Sequence, residues 1–431
     1  MNRYILQKYT PYTILVVAII TLIPYTTLPL GNTITTWLAE VLVLLFFFFI
    51  SFYLIKRKEY SVGFYLISVY LIYNLMNVVR GIIVAEVYWD YKAALSNGFA
   101  LLLPIVAFSG NNPNFTILLF RFYLRYTLPL LLILFPFISI GAVGFFLVPI
   151  SLLALFLSRI RKPHSYLVLS LCVFVVFYNF AARSNVIKFF IPLLFSMLFY
   201  FRKYFTNTVL NVLNKILFII PFLFFYLATT GFFNIFKISE YVDGDFTTNN
   251  VNLETGEVKE EDLTADTRSP LYVEVLMTAK KYNTWLFGRS PARGNETELF
   301  ASLEEITGRS ERIGNEVAIL NVFTWTGAVG VFLYFMIFYS ASNIAINQSN
   351  NFYSKILGLY LGFRWCYAWV EDINYFTLTT YTLWLTIGIC LSKRIRCMNN
   401  YEIELWINAM FTKTGFTKYK VSKSKTNKIQ I

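Results

Sequence analysis

Long unbroken apolar runs, at residues 11–30, 36–55, 61–79, 126–157, 165–182, 186–201, 212–233 and 316–340, constrain this chain more than any other feature. A bilayer core of about 30 Å is crossed by roughly 20 residues at about 1.5 Å each, a length these runs supply singly or as pairs. No water-soluble core needs so many. Only 14% of the residues are charged, against roughly 25% in a soluble domain that must present a wet surface. The pattern specifies an all-α polytopic membrane protein.

Helices are expected over 11–30, 35–55, 61–79, 93–110, 126–139, 140–157, 165–182, 186–201, 212–231, 316–340, 355–370 and 374–391. That is about 12 transmembrane helices, with ten as the alternative where runs 126–157 and 355–391 are not divided. The chain then falls into helices one to nine at 1–231, a long polar loop at 232–315, helices ten to twelve at 316–391 and a basic tail at 392–431. Placing the N-terminus inside collects Arg3/Lys8, Lys56/Arg57/Lys58, Arg121/Arg125, Arg159/Arg161/Lys162, Arg202/Lys203/Lys215 and the tail from Lys393 to Lys428 on one side. Connectors 31–35 and 138–142 on the other side carry no Lys or Arg, and 80–92 carries two. By the positive-inside rule both termini are cytoplasmic and the long loop lies outside.

The net charge of +13 follows from this orientation and not from nucleic acid, since no basic, aromatic-interleaved platform lies outside the apolar runs. The first run ends Thr27-Leu28-Pro29-Leu30-Gly31-Asn32, with no small-x-small cleavage site, and is expected to remain as the first helix. The cysteines, Cys172, Cys366, Cys390 and Cys397, avoid the polar loop and imply neither a disulfide framework nor a metal centre. Residues 111–126, and the tail around Tyr401, Leu405, Trp406 and Ile407, have the amphipathic character of segments lying along the membrane interface. A solvated tail is the bland alternative.

Sixteen of the 24 acidic residues fall between Glu240 and Glu316, so the loop is chemically unlike the rest. Its first part, Asp243 to Asp266, has few apolar residues and is expected to be mobile. A helix capped by Ser269, with Pro270 at its first position, is expected to run towards Gly288. Asn295 with Glu298 three residues on predicts a second short helix closed by Gly308. Together these would form a lid over the membrane.

Ionisable groups at membrane depth are expensive, so each is weighed for function. Arg183 and Lys188 flank the outer link between helices seven and eight, Arg268 opens the loop helix, Glu316 opens helix ten, and Arg364 lies inside helix eleven, whose outer end carries Glu371 and Asp372. A cluster of arginines suits a phosphate or pyrophosphate, because guanidinium binds phosphate oxygens in bidentate fashion. A carboxylate beside it can take a proton from a sugar hydroxyl. The bland readings stand beside these. Arg183 and Lys188 serve equally as interfacial anchors. Glu316 gains from a helix dipole in any protein. Arg364 can pair with Glu371 or Glu316 merely to close the bundle. Glu40 reads as a tolerated interfacial acid, and His164, the only histidine, as structural and cytoplasmic.

Three stretches, in order, carry a resemblance to the O-antigen polymerase and O-antigen ligase superfamily of bacterial inner membranes. They are Arg183-Ser184 at an outer helix end, Arg268 opening a helix that runs to Phe287-Gly288, and Glu316 followed by Gly327-Ala328-Val329-Gly330. The resemblance implies a C-type glycosyltransferase-like membrane fold and a metal-independent glycosyltransferase that needs no cofactor. Its substrate would be an oligosaccharide repeat linked to undecaprenyl pyrophosphate, polymerised at the periplasmic face, with a chain-length regulator and a flippase as partners. It further implies Glu316, Arg183 and Arg268 as catalytic residues and Arg289, Arg293, Arg364 and Lys188 as substrate-binding ones. Ligases typically place a His-Asn pair where this chain has Glu316, which favours the polymerase branch. The alternatives are a ligase moving glycan to lipid A–core and a flippase for the same lipid-linked unit.

Overall fold

A computed structural model describes residues 8–54, 61–178, 183–237, 240–241, 247–251, 258–262, 266, 268–297, 304 and 308–412. The described residues are mostly helical, with few in strands. In order, the helices are α1 (Tyr12–Leu22), α2 (Thr33–Leu54), α3 (Val62–Val84), α4 (Tyr88–Leu102), α5 (Pro113–Phe122), α6 (Leu128–Leu134), α7 (Ile140–Phe146) and α8 (Val148–Ala154). There follow α9 (His164–Tyr178), α10 (Arg183–Met197), α11 (Asn207–Thr229), α12 (Ser269–Lys281), α13 (Ala318–Asn347), α14 (Phe352–Tyr367), α15 (Leu378–Leu391) and α16 (Asn400–Phe411).

Among the described residues six spans are long and apolar enough to cross a membrane: Thr33–Ser51, Val62–Val84, Tyr88–Gly110, Pro113–Phe137, Asn207–Thr229 and Ala318–Asn347. Tyr12–Tyr25, His164–Tyr178 and Leu378–Leu391 are apolar but shorter. The expected helix at 140–157 is instead two, α7 and α8, divided at Leu147 with Pro149 in the first turn of α8. Proline lacks the N–H and crowds the preceding turn, so it starts helices more readily than it continues them. Outward-facing apolar side chains such as Ile83, Leu132 and Phe177 are 77%, 79% and 74% exposed. Only lipid makes such a surface stable. The protein is membrane-embedded.

Burial runs the other way at the centre. Every residue of α15 is buried, and the helix is the axis about which the others pack. Gly388 and Gly110 allow α15 to touch, backbone to backbone, the short helical turn Ala107–Gly110 that follows α4, since a Cβ at Gly388 would stand 1.9 Å from the Ala107 oxygen. Small residues permit such close crossings where lipid supplies no hydrophobic drive. Around α15 lies an aromatic core. Trp365 meets Phe335 edge-on at 5.2 Å and stacks on Phe218 at 6.0 Å, while Tyr334 meets Trp384 at 6.0 Å. Aromatic pairs of this geometry add roughly 0.5–1.5 kcal/mol each beyond their buried area.

The connectors gather at two ends. At one, Arg121 donates to the Ala409 oxygen, Arg159 pairs with Glu404 at 2.9 Å and Lys355 donates to Asn207. At the other, Thr26 pairs with Ile138, and Arg309 contacts Glu86 and Asp90. The tail segment expected at the interface is α16. Asn399 caps it in a reciprocal box with Glu402, and it seats Trp406 against the Pro113 oxygen at 3.1 Å. The stretch 111–126 belongs to α5 and a π turn leading into α6, packed on α16 rather than lying free.

The long loop departs from expectation in three ways. Part of the stretch expected to be mobile is an antiparallel hairpin of β1 (Thr247–Val251) and β2 (Val258–Asp262). The N-cap of α12 is Arg268 and Ser269 is the first helical residue, while Asp266 Oδ1, just ahead of them, accepts from the amides of Arg268 at 3.1 Å and Ser269 at 2.8 Å. Asn295 opens no helix: β3 (Asn295–Glu296) pairs with β4 (Glu311–Arg312), and Glu298 lies outside the described residues.

Candidate functional site

The starts of α10, α12 and α13 and the end of α14 converge, and backbone bonds tie the start of α13 to the end of α14. The amides of Ala318 and Ile319, orphaned at the start of α13, donate to the oxygens of Glu371 at 3.2 Å and Ala368 at 3.0 Å. This seats the Glu371 side chain against Glu316. Leu271 and Val275 of α12 pack on Val317 and Leu320, bringing the first turn of α12 to the same place. Tyr272 fastens it further, its hydroxyl donating to the Trp369 oxygen at 2.5 Å.

The result is a chain of alternating charges drawn from four segments. Arg312 Nη2 lies 3.3 Å from Glu316 Oε1, and Glu316 Oε2 accepts from Arg268 Nη1. Arg268 Nη2 lies 3.9 Å from Glu371 Oε2 and its Nε donates to the Val370 oxygen at 3.3 Å. Glu371 Oε1 in turn lies 3.8 Å from Lys188 Nζ. Lys188 is only 1% exposed and sits over the Phe145 ring at 4.3 Å. Its burial rules out the snorkelling anchor.

Two further groups complete the site. Arg364 is 2% exposed, and its Nε and Nη2 find no hydrogen-bond partner. No ion pair joins it to Glu371 or Glu316 among the described residues, so the reading in which it closes the bundle by pairing with either does not hold. Asp372 accepts from the Asn374 amide at 2.9 Å and from Asn321 Nδ2 at 3.3 Å, while its Oδ2 has no partner. Burial pushes its carboxyl up to about 7. A half-ionised carboxyl near neutral pH is suited to proton transfer.

The structure brings together Lys188, Arg268 and Glu316 directly and places Arg364 and Asp372 beside them. Arg183 is exposed at the first turn of α10, five residues before Lys188, and no described hydrogen bond or ion pair joins it to the cluster. Arg289 and Arg293 are committed elsewhere. Arg289 Nη2 lies 3.0 Å from Glu311 Oε1 and over the Tyr282 ring at 4.1 Å, and Arg293 grips both Glu311 oxygens at 2.6 and 3.1 Å. Burial would raise the Glu311 carboxyl, but the Arg293 hydrogen bond and the two guanidinium charges outweigh it and hold it below the usual range. These arginines fasten the β3–β4 hairpin. Arg312 is the site residue that sequence reasoning passed over. The signal for Arg312 was its position four residues before Glu316.

Glu40, read from sequence as an interfacial acid, is 5% exposed with an unpartnered Oε2. His164 opens α9 and stacks on Phe411 at 4.9 Å, consistent with a structural part.

Beside the charge chain α13 is broken. Gly327 takes φ 69° and ψ −170°, a conformation open only to glycine, and residues 285–290 insert their backbone into the gap. Ala328 donates to the Trp285 oxygen at 2.8 Å and Val329 to Leu286 at 3.2 Å. Arg289 donates to Thr324 at 2.6 Å and Ser290 to Trp325 at 3.2 Å. Tyr73 and Arg80 of α3 satisfy the oxygens of Thr326 and Phe287, each at 2.6 Å. Broken backbone at membrane depth survives only where protein satisfies it in this way. Phe287-Gly288 and Gly327-Gly330, quoted separately for the resemblance, are thus one packed junction.

An apolar cavity of about 130 Å³ adjoins the site, lined by Phe224, Phe225, Phe236, Tyr272, Trp369 and Val370 among others. It meets the charge chain at Val370, whose oxygen holds Arg268. Cationic groups at the end of an apolar groove match an amphiphile with an anionic head. Comparison of the chain with protein-family models, with characterised proteins and with solved structures returned no match.

Proposed function

We propose that this protein is a metal-independent glycosyltransferase that joins oligosaccharide repeats carried on undecaprenyl pyrophosphate, in the manner of an O-antigen polymerase. In this reading the chain spans a bacterial inner membrane about 12 times with both termini cytoplasmic, and the charge chain faces the periplasm. One observation carries it: Lys188, Arg268 and Arg312, from separate segments, meet carboxylates at one end of the bundle beside an apolar cavity, with Arg364 buried and its Nε and Nη2 without a hydrogen-bond partner.

The chemistry follows from exchange of partners. The diphosphate of the donor takes the guanidinium of Arg268, with Arg364 and Lys188 behind it, and Arg183 meets the substrate at the rim. Glu316, released from Arg268, accepts the proton of an acceptor sugar hydroxyl. The hydroxyl oxygen bonds to the anomeric carbon as the bond from that carbon to the pyrophosphate oxygen breaks, and the lipid diphosphate leaves with its charge neutralised. Stabilisation of charge where it develops is usually the largest catalytic contribution. The bundle centre is filled by α15 and aromatic rings rather than by charge, which disfavours the flippase alternative.

The test is turnover of a defined lipid-linked repeat by purified protein. Arg268→Ala is expected to lower the rate by about 10²–10³, the range for removing one preorganised charge donor, and Glu316→Gln to do likewise with normal membrane levels. In cells, loss of the gene is expected to leave a single capped repeat. Unattached full-length polymer would identify the ligase instead, and repeats trapped on the cytoplasmic face the flippase. Wild-type turnover in both variants would end the proposal.

A further inference from the structure

At the opposite end of the bundle, a cavity of about 300 Å³ lies where α5 and its π turn, the start of α9 and the end of α16 meet. Its polar wall is Arg121, Arg125 and His164, its apolar wall includes Leu124, Leu167 and Phe411, and no carboxylate is among its lining residues. The acids of α16 nearest in sequence are occupied elsewhere: Glu402 accepts from the Asn399 amide at 2.9 Å, and Glu404 pairs with Arg159 at 2.9 Å. Arg121 is fixed by donating through Nε and Nη2 to the Ala409 oxygen at 3.2 and 2.6 Å. Arg125 is exposed and turned out by the π turn Tyr123–Thr127, a distortion that often marks a functional position.

We infer that this cavity binds the headgroup of an anionic phospholipid. The shared chemistry is a phosphate ester with net negative charge, and two observations select a lipid over a free anion. Half of the wall is apolar, and the same helical stretch continues into outward-facing Tyr126 and Leu132, 54% and 79% exposed, along which acyl chains can lie. The sequence that follows Thr412, 413–431, carries six lysines and no acid, a composition that favours anionic lipid. The site is separate from the charge chain of the proposed reaction and stands whether or not that reaction is correct.

The experiment is native mass spectrometry of the purified full-length protein, titrated with palmitoyl-oleoyl phosphatidylglycerol or with the matching phosphatidylcholine. Phosphatidylglycerol is expected to bind the more tightly. Each basic residue near an anionic surface is worth about fivefold in affinity, so Arg125→Gln is expected to weaken it about fivefold and Arg125→Glu about thirtyfold. Arg125→Lys should restore binding, which shows that the site is intact. Lys203→Glu, an exposed change at the same end but outside the lining, should leave affinity unchanged. Equal losses from Lys203→Glu and Arg125→Glu would mean diffuse surface charge and would overturn the site. No preference for phosphatidylglycerol would overturn it too, as would displacement of the lipid by equimolar inorganic phosphate, which would mark a soluble-anion site.

Discussion

Arg364 is the residue whose replacement separates function from architecture. A buried guanidinium nitrogen left without an acceptor costs about 1–3 kcal/mol, and Arg364 has two, Nε and Nη2. The resulting strain is about 2–6 kcal/mol. Against it stand the ring of Tyr367, 5.3 Å from the guanidinium carbon and worth roughly 0.5–2 kcal/mol, and the favourable C-terminal position in α14, worth about 0.3–1 kcal/mol. Lys188, a like charge within electrostatic reach, adds to the strain. Arg364→Met keeps the length and volume while removing the charge. It is therefore expected to stabilise the fold by about 1–4 kcal/mol, the range seen when buried ionic groups give way to well-packed apolar ones, and to abolish transfer. Stability would be read as the midpoint of SDS-induced unfolding in mixed micelles, and activity as turnover of a lipid-linked repeat. In the proposed reaction the donor diphosphate supplies the missing acceptors. If Arg364→Met unfolds more easily than the native protein and still turns over, Arg364 is a structural cation and the reasoning fails.

Gly327→Ala places a Cβ 2.3 Å from the Leu286 oxygen in a backbone region closed to other residues, so it is expected to cost at least about 1–3 kcal/mol and to lower the unfolding midpoint. Gly141→Ala, with open space around the new methyl inside α7, is the control expected to be neutral or mildly stabilising. Glu311→Gln leaves Arg289 and Arg293 without their carboxylate and is expected to destabilise by about 3–5 kcal/mol while leaving the KM for lipid-linked substrate unchanged in the surviving protein. Because the folded Glu311 carboxyl lies below its ordinary 4.5, its contribution is complete above that pH and is lost as pH falls through the lower folded value. Asp372 has the opposite sign. Its folded carboxyl, near 7, lies above the ordinary 3.8, so stability declines as pH rises across that interval and levels off above it. Asp372→Asn is expected to flatten that decline, and to remove any inflection near 7 from the pH–rate profile if Asp372 carries a proton in the reaction.

What the sequence revealed of this site depended on whether a residue's partner was local or distant. Arg268 and Glu316 were legible because each lies just before a helix, and helix starts are marked by Asp, Ser, Pro and Asn at fixed offsets. Charge alternation then put both at the same end. Arg289 and Arg293 were assigned to substrate because their acceptor, Glu311, reaches them only through the β3–β4 pairing. A two-residue ladder has no periodicity to read, and Asn295 with Glu298 imitates a helix cap. The break in α13 was equally hidden. Thr324 to Val329 form an apolar run like any other, and the groups that satisfy the break come from α3 and from residues 285–290, remote in sequence. Pro149 divides the stretch expected as one helix at 140–157, whereas α10 runs unbroken through Pro192.

The junction at Gly327 also decides which part of the long loop can move. Expected from sequence as a lid, the loop would have to lift for substrate to arrive. Lifting residues 285–290 would strand the oxygens of Thr324 and Trp325 and the amides of Ala328 and Val329 in the bundle wall. At about 1–3 kcal/mol for each buried group left unpaired, opening there is rare on the timescale of turnover. Residues 285–290 are wall and not lid. At the other side of α12, Arg268 is held by ion pairs and a long bond to Val370, interactions that the diphosphate of the proposed reaction would replace in kind. Access therefore belongs at the first turn of α12, where the apolar cavity meets the charges. Cross-linking 285–290 to α13 should leave turnover intact, while tying Arg268's turn to α14 should stop it.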